Sequence, residues 1–148
     1  MDINTLPDLS QFSHRVPVQI RFNDIDLLGH LNNTVYFSFL DTGKAYYFKD
    51  ILGDRMDFRK VETVIANVDC AYVSPIYFGE NIEVLTRCSH IHDKSFRLQQ
   101  VLIKTDTKEI KAAAETVMVS FDPKSQSSIP MPDHIREALE RDMSKEKG

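Results

Sequence analysis

The chain has no tryptophan, two cysteines, five glycines and six prolines among its 148 residues, and no excess of positive charge. Cys70 and Cys88 each sit inside a strand-like run, which leaves no disulfide framework and no metal-ligand spacing, so both read as reduced core thiols. Eighteen Lys and Arg against 22 Asp and Glu give a formal net charge of −4 with mixed signs along the chain. A nucleic-acid binder would carry a basic stripe instead. No apolar run approaches the roughly 20 residues that span a bilayer. The opening, Met1 to Asp8, lacks the basic-then-apolar layout of a signal peptide, and with the absent span it points to a cytoplasmic protein. The length suits one domain with a real core, and a hydrophobic content of 42% with 27% charged residues is ordinary for a globular chain.

What the sequence does have is concentrated between Arg21 and Tyr36, where two carboxylates, Asp24 and Asp26, a histidine, His30, and a helix-start signal fall within sixteen residues. Val16 to Phe22 reads as a short strand. After the motif, Val35, Tyr36, Phe39, Leu40 and Tyr47 recur at helical spacing. Asn32 and Asn33 are both good caps for that helix. A helix start presents backbone N–H groups that have no partner inside the helix, and its dipole favours negative charge, so it can hold an oxyanion. On the residues alone Asp26 reads first as a turn carboxylate, bonded to local backbone, and Asp24 is a turn or surface partner for Arg21. His30 either orients Asp26 or a water, or satisfies the turn.

The rest of the chain changes period. Thr63 to Ser74, Asn81 to His92, Lys94 to Thr105 and Lys111 to Phe121 read as four strands after the helix, with Pro75 stopping the first and His92-Asp-Lys94 joining the middle pair as a hairpin. Thr63 to Ser74 is expected to carry one strongly apolar face, from Val64 to Tyr72. Residues 1–14 form a polar lead-in, 15–122 the domain, and 123–148 a connector with a short helix near Ile135 to Leu139. Asp50 to Lys60 is a charged connector with Gly53 as a breaker. One aromatic helix with antiparallel strands around it packs by letting the sheet curl about the helix, an α+β arrangement. The helix carries more apolar surface than one sheet needs, which calls for a partner subunit. Gly43 inside the helix suggests close approach of a strand or ligand. His90 and His92 share one side of a strand without a third ligand, so they read as solvent-facing or ligand-lining and no metal is expected.

The spacing Asp-x-x-Gly-His-x-Asn-Asn before an aromatic helix, together with this element order, resembles the hot-dog fold acyl-CoA thioesterases, the group of 4-hydroxybenzoyl-CoA thioesterase and the plant acyl-carrier-protein thioesterases. The resemblance implies a single hot-dog domain hydrolysing acyl-CoA or acyl-carrier-protein thioesters, without a cofactor beyond the CoA of the substrate, in a homodimer or homotetramer with sites between paired subunits. It maps the general base or nucleophile onto Asp26 and the carbonyl-polarising N–H onto Asn33, with His30 as the third catalytic candidate. In the plant branch's Asp-x-Asn-x-His set, Leu28 stands here where that branch has Asn. Gly29, Asn32, Tyr36, Lys94, Ser95 and Arg97 are the substrate-contacting candidates, Lys94 and Arg97 as partners for CoA phosphates, though a solvated charged turn explains them equally well. The alternatives within the fold are a non-catalytic acyl-ligand-binding module and an acyl dehydratase.

Overall fold

The computed structural model describes residues 1–56 and 62–146. Strand β1 (His14–Val18) precedes helix α1 (Asn33–Leu52), followed by β2 (Thr63–Tyr72), β3 (Ile82–Ile91), β4 (Ser95–Lys104), β5 (Ile110–Asp122), a two-residue β6 (Ser127–Ser128) and helix α2 (Asp133–Glu146). The main sheet runs in the order β1-β3-β4-β5-β2, every pair antiparallel, with β6 added to β5. It curls around α1. This is the hot-dog arrangement that the order of elements implied.

Local chemistry sets the ends of α1. Asn32 is extended (φ −61°, ψ 137°), and its Oδ1 accepts from the Thr34 N–H at 3.1 Å, while Asn33 is the first helical residue. At the other end the Gly53 N–H donates to Lys49 O with Gly53 at φ +58°, a left-handed cap that suits glycine. The helix therefore runs three residues past Lys49. Of the charged connector expected after it, residues 57–60 lie outside the described residues. Tyr36, Phe39, Leu40, Gly43 and Tyr47 form the buried stripe; the first three pack with Ile82, Val84, Leu102, Ala112 and Ala114 of the sheet, Gly43 abuts Val84, and Tyr47 packs with Cys88, Phe96 and Leu98. Phe37 and Tyr46, on the two flanks of that stripe, stay 41% and 47% exposed, which is the apolar excess read from the sequence.

Four expectations need correction. The first strand, read as Val16 to Phe22, is His14–Val18 and ends four residues before Phe22, because the Arg21 N–H donates to Asp24 Oδ2 at 2.8 Å and draws Phe22–Asp24 into a 3-10 turn. The regular apolar alternation of β2 breaks at a bulge between Ile65 and Asn67, and as an edge strand it buries only Ala71. The lead-in is not merely polar: Phe12, with Leu6 and Leu9 beside it, covers Leu85, Val101, Ile103 and Ala113 on the outer face of the sheet. Leu6, Leu9 and Phe12 recur every third position, a spacing that matches neither a strand's period of two nor an amphipathic helix's of 3.6, so the segment read as polar. Helix α2 is longer than the short helix read from Ile135 to Leu139; Met131, Ile135, Ala138 and Leu139 pack on Tyr47, Leu52, Cys88 and Phe96. The Tyr47 hydroxyl donates to the buried Asp142 Oδ2 at 2.7 Å. Among the described residues no helix is long and apolar enough to cross a membrane.

Candidate active site

The residues between β1 and α1 fold back on themselves. Ile25 and Leu31 pair antiparallel, the Asp26 N–H donates to His30 O at 2.9 Å, and the Gly29 N–H donates to Asp26 O at 3.1 Å. Gly29 closes this turn at φ +85°, a conformation that a side chain rarely tolerates. Asp26 Oδ1 accepts from the Leu28 N–H at 2.9 Å and from the His30 N–H at 3.4 Å. Its Oδ2 has no hydrogen-bond partner among the described residues. The carboxylate is exposed, as are Leu27 and Leu28 at the tip of the turn.

Asp24 has a different role. It is buried, accepts from the Arg21 N–H and guanidinium, and its backbone oxygen takes the Asn32 N–H at 2.8 Å. Burial by itself would raise its pKa; the bonds from the Arg21 N–H and side chain and the guanidinium charge outweigh this and hold the carboxyl below the usual range. Asp24 thus ties the turn to the helix start. It is the Arg21 partner expected from the sequence, although buried rather than at the surface.

The turn forms one side of a cleft of about 310 Å³ lined by Asp26, Leu28, His30, the helix tip at Asn33, and Tyr36, with Leu31 between them. The other side is the chain leaving β2: Tyr72, Val73, Ser74 and Pro75. The two sides are tied together. Leu31 N–H donates to Ile76 O at 2.8 Å, His30 bridges to Tyr77, and their rings meet edge to face at 5.3 Å. Tyr36 and Tyr72 meet the same way at 4.8 Å, and the Tyr72 hydroxyl reaches the Asn33 carbonyl at 3.5 Å. Burial pushes the Tyr36 phenol above its usual value, against the pull of the Ile76 N–H, so it stays a neutral donor at physiological pH. Among the described residues none accepts from the Asn33 N–H. Asp26, whose Oδ2 has no partner among the described residues, and Asn33, at the helix start, line the same cleft.

Residues 20–139 match the thioesterase-like superfamily. The chain belongs to that superfamily. The long-chain acyl-CoA thioesterase FadM of Escherichia coli is 22% identical over 84% of this chain and 95% of its own. The uncharacterised protein YsmA of Bacillus subtilis is 25% identical over 88% of this chain and 87% of its own. A thioesterase from Thermus thermophilus, solved with coenzyme A and zinc, superposes with a TM-score of 0.79 at 28% identity, covering 90% of this chain and 96% of that one.

Within this superfamily member, the candidates divide by position. Asp26, His30, Asn33 and Tyr36 line the cleft; Gly29 shapes the turn and Asn32 caps the helix. Lys94, Ser95 and Arg97 lie elsewhere. Ser95 pairs with Val119 at one end of the sheet, whereas Tyr72 pairs with Ala112 near the other, so within one chain these three do not meet the cleft. Arg97 is engaged with Glu115 at 3.0 Å. The His90 and His92 rings lie parallel with centroids 6.3 Å apart, and among the described residues no group of three or more His, Cys, Asp or Glu could hold a metal. The residues that the sequence did not flag are Tyr72, Ser74 and Tyr77. Tyr72 and Ser74 line the cleft through sheet pairing forty residues away, Tyr77 meets the His30 ring, and the only local signal was Pro75 ending the strand.

Proposed function

We propose that the protein hydrolyses acyl-CoA, or acyl-carrier-protein, thioesters to free acid and thiol, with Asp26 as general base or nucleophile and the Asn33 N–H as the oxyanion donor. The observation that carries this reading is the shared cleft, which both Asp26, with its unpartnered Oδ2, and Asn33, at the helix start, line. The chemistry needs little more. A thiol leaves with a pKa near about 8.5, so it departs as thiolate without obligatory protonation. A positioned base contributes about 10²–10⁴ in rate and an oxyanion donor about 10²–10³. His30 stands beside Asp26 on the turn and serves to orient the carboxylate or its water. FadM's activity on long-chain acyl-CoA and the coenzyme A in the Thermus structure support a CoA thioester as the substrate class.

A homodimer accompanies this reading. Edge strand β2 offers unpaired backbone, Ile65 and Tyr72 are 48% and 44% exposed, and Phe37 and Tyr46 lie bare on α1. A second copy covering these faces would also bound the open cleft.

Thiol release from a panel of acyl-CoAs, followed with a thiol reagent, tests the activity. Asp26→Asn keeps an oxygen for the Leu28 N–H while removing the negative charge, and kcat/KM should fall by about 10² or more. Full turnover in that variant would overturn the assignment. Saturable acyl-CoA binding without thiol release would mark a ligand-binding module, and gain or loss of water on the acyl chain with the thioester intact would mark a dehydratase.

A further inference from the structure

Lys111, the second residue of β5, is 3% exposed although its side chain ends in a charge. Its ammonium has three donors and meets three oxygens: Pro75 O at 2.9 Å, Glu80 Oε2 at 3.3 Å and Glu109 Oε1 at 3.3 Å. The Tyr77 ring centroid lies 5.9 Å away. The same residue's backbone carbonyl accepts from the N–H groups of Val73 at 2.9 Å and Ser74 at 3.1 Å. The two carboxylates continue the grip, since Glu80 Oε1 accepts from the Tyr77 N–H at 2.7 Å and Glu109 Oε1 from the Ser74 hydroxyl at 2.8 Å. Apart from the two ion pairs, every one of these bonds ends on the segment from Val73 to Tyr77, whose first three residues line the far wall of the cleft and whose Ile76 O takes the Leu31 N–H.

We propose that Lys111 is a positioning residue: its ammonium, clasped by Glu80 and Glu109, fixes the Val73–Tyr77 wall and, through Ile76 O and the Tyr77 ring, sets the place of Leu31 and His30 beside Asp26. Stability does not explain the arrangement, because desolvating an ammonium offsets most of what its partners return. Geometry does. A compact ammonium can serve three convergent oxygens from different directions, which neither an apolar chain nor a planar guanidinium of greater length reproduces. Misplacement of about 1 Å in a reacting geometry costs up to about 10² in rate, so loosening one wall is expected to cost about tenfold.

The inference rests on the thioester-hydrolysis reading for its consequence in rate, and its test separates the two. In Lys111→Met, Glu80 keeps Lys104 at 3.5 Å and Glu109 remains about half exposed, so no buried charge is stranded. Hydrogen exchange in the full-length variant should speed by about tenfold or more at the Leu31 and Ser74 amides while the Leu102 amide in the sheet stays slow. Thiol release should lose about tenfold in kcat with KM changed by less than about threefold, and Lys111→Arg should recover part of the loss. If Lys111→Met does not fold, Glu80→Gln reads the same two measurements. Unchanged exchange at Leu31 and Ser74, or faster exchange with kcat within about twofold of the parent, would overturn the proposal. If the parent protein hydrolyses no thioester, the function proposed above fails, and the exchange measurement decides the wall by itself.

Discussion

Gly43 offers a perturbation whose cost can be worked from distances. It sits in the middle of α1, where glycine is about 1 kcal/mol worse than alanine, so Gly43→Ala should stabilise an isolated helix. In the folded chain an added Cβ would lie 2.7 Å and 2.8 Å from the two methyls of Val84 and 3.0 Å from Gln100 Nε2. Neither neighbour can step aside. Val84 is wholly buried and stiff about χ1, and the Gln100 amide is held at 2.9 Å by Leu40 O and at 3.0 Å by Thr86 Oγ1. Overpacking of this kind costs about 1–3 kcal/mol, so after the helical gain the net loss should be about 0–2 kcal/mol. For a domain of this size that is a drop of up to about 8 °C in Tm by calorimetry or circular dichroism. The clash also predicts coupling, because Val84→Ala opens space for the new methyl. Gly43→Ala/Val84→Ala should then be more stable than the sum of the single changes by about 1 kcal/mol. A rise in Tm for Gly43→Ala, or strict additivity in the double variant, would show that the helix does not press on β3 as described.

Two further predictions concern buried carboxylates. The folded pKa of Asp24 is depressed, so its contribution is fully present above the unfolded value of about 3.9 and is lost as pH falls through the lower folded value. Asp24→Asn should therefore cost about 1–3 kcal/mol in urea unfolding at neutral pH and progressively less below about pH 4; a penalty independent of pH would remove charge from the explanation. Tyr47→Phe leaves Asp142 without the phenol's bond inside the packing of α2, and should cost about 1–3 kcal/mol, with most of it regained in Tyr47→Phe/Asp142→Leu; a double variant no better than the single would refute the pairing as the cause.

How much of this was legible depended on whether the cause was local. The cap at Asn32, the start of α1 at Asn33 and the Arg21–Asp24 pair are determined by residues within three or four positions, and all were readable. The meaning of Gly43 was readable as a close approach, though not the identity of Val84 as its neighbour. What escaped was non-local or out of period. Tyr72 and Ser74 line the cleft, and Tyr77 meets His30, only because β2 pairs with β5 and the chain then crosses to Leu31. Leu6, Leu9 and Phe12 cover the outer sheet face at a three-residue spacing that belongs to neither strand nor α-helix, and a bulge at Ala66 spoils the alternation that made β2 look one-sided. Lys111 illustrates the same limit: in sequence it is an ordinary strand lysine, and its three oxygen partners come from three separate stretches of chain.

Asp26 is where the turn reading and the catalytic reading seemed to compete, and the two oxygens of its carboxylate remove the conflict. Oδ1 accepts the Leu28 and His30 N–H groups, which fixes the side chain against the turn, while Oδ2 stays without a protein partner at the cleft. Holding one oxygen costs the other nothing as an acceptor, because an ionised carboxylate offers about four lone-pair sites. It also settles the direction of the carboxylate before substrate arrives, which is how a base acquires its geometry without reorganisation. The two roles then separate by substitution. Asp26→Asn preserves an acceptor for the turn and should keep the parent's Tm within about 1 °C, whereas Asp26→Ala strips the turn of its acceptor and should lose about 0.5–1.5 kcal/mol in addition to the activity. If Asn lowered stability as much as Ala, the turn would require the charge itself, and a loss of turnover in either variant could no longer be assigned to the missing base.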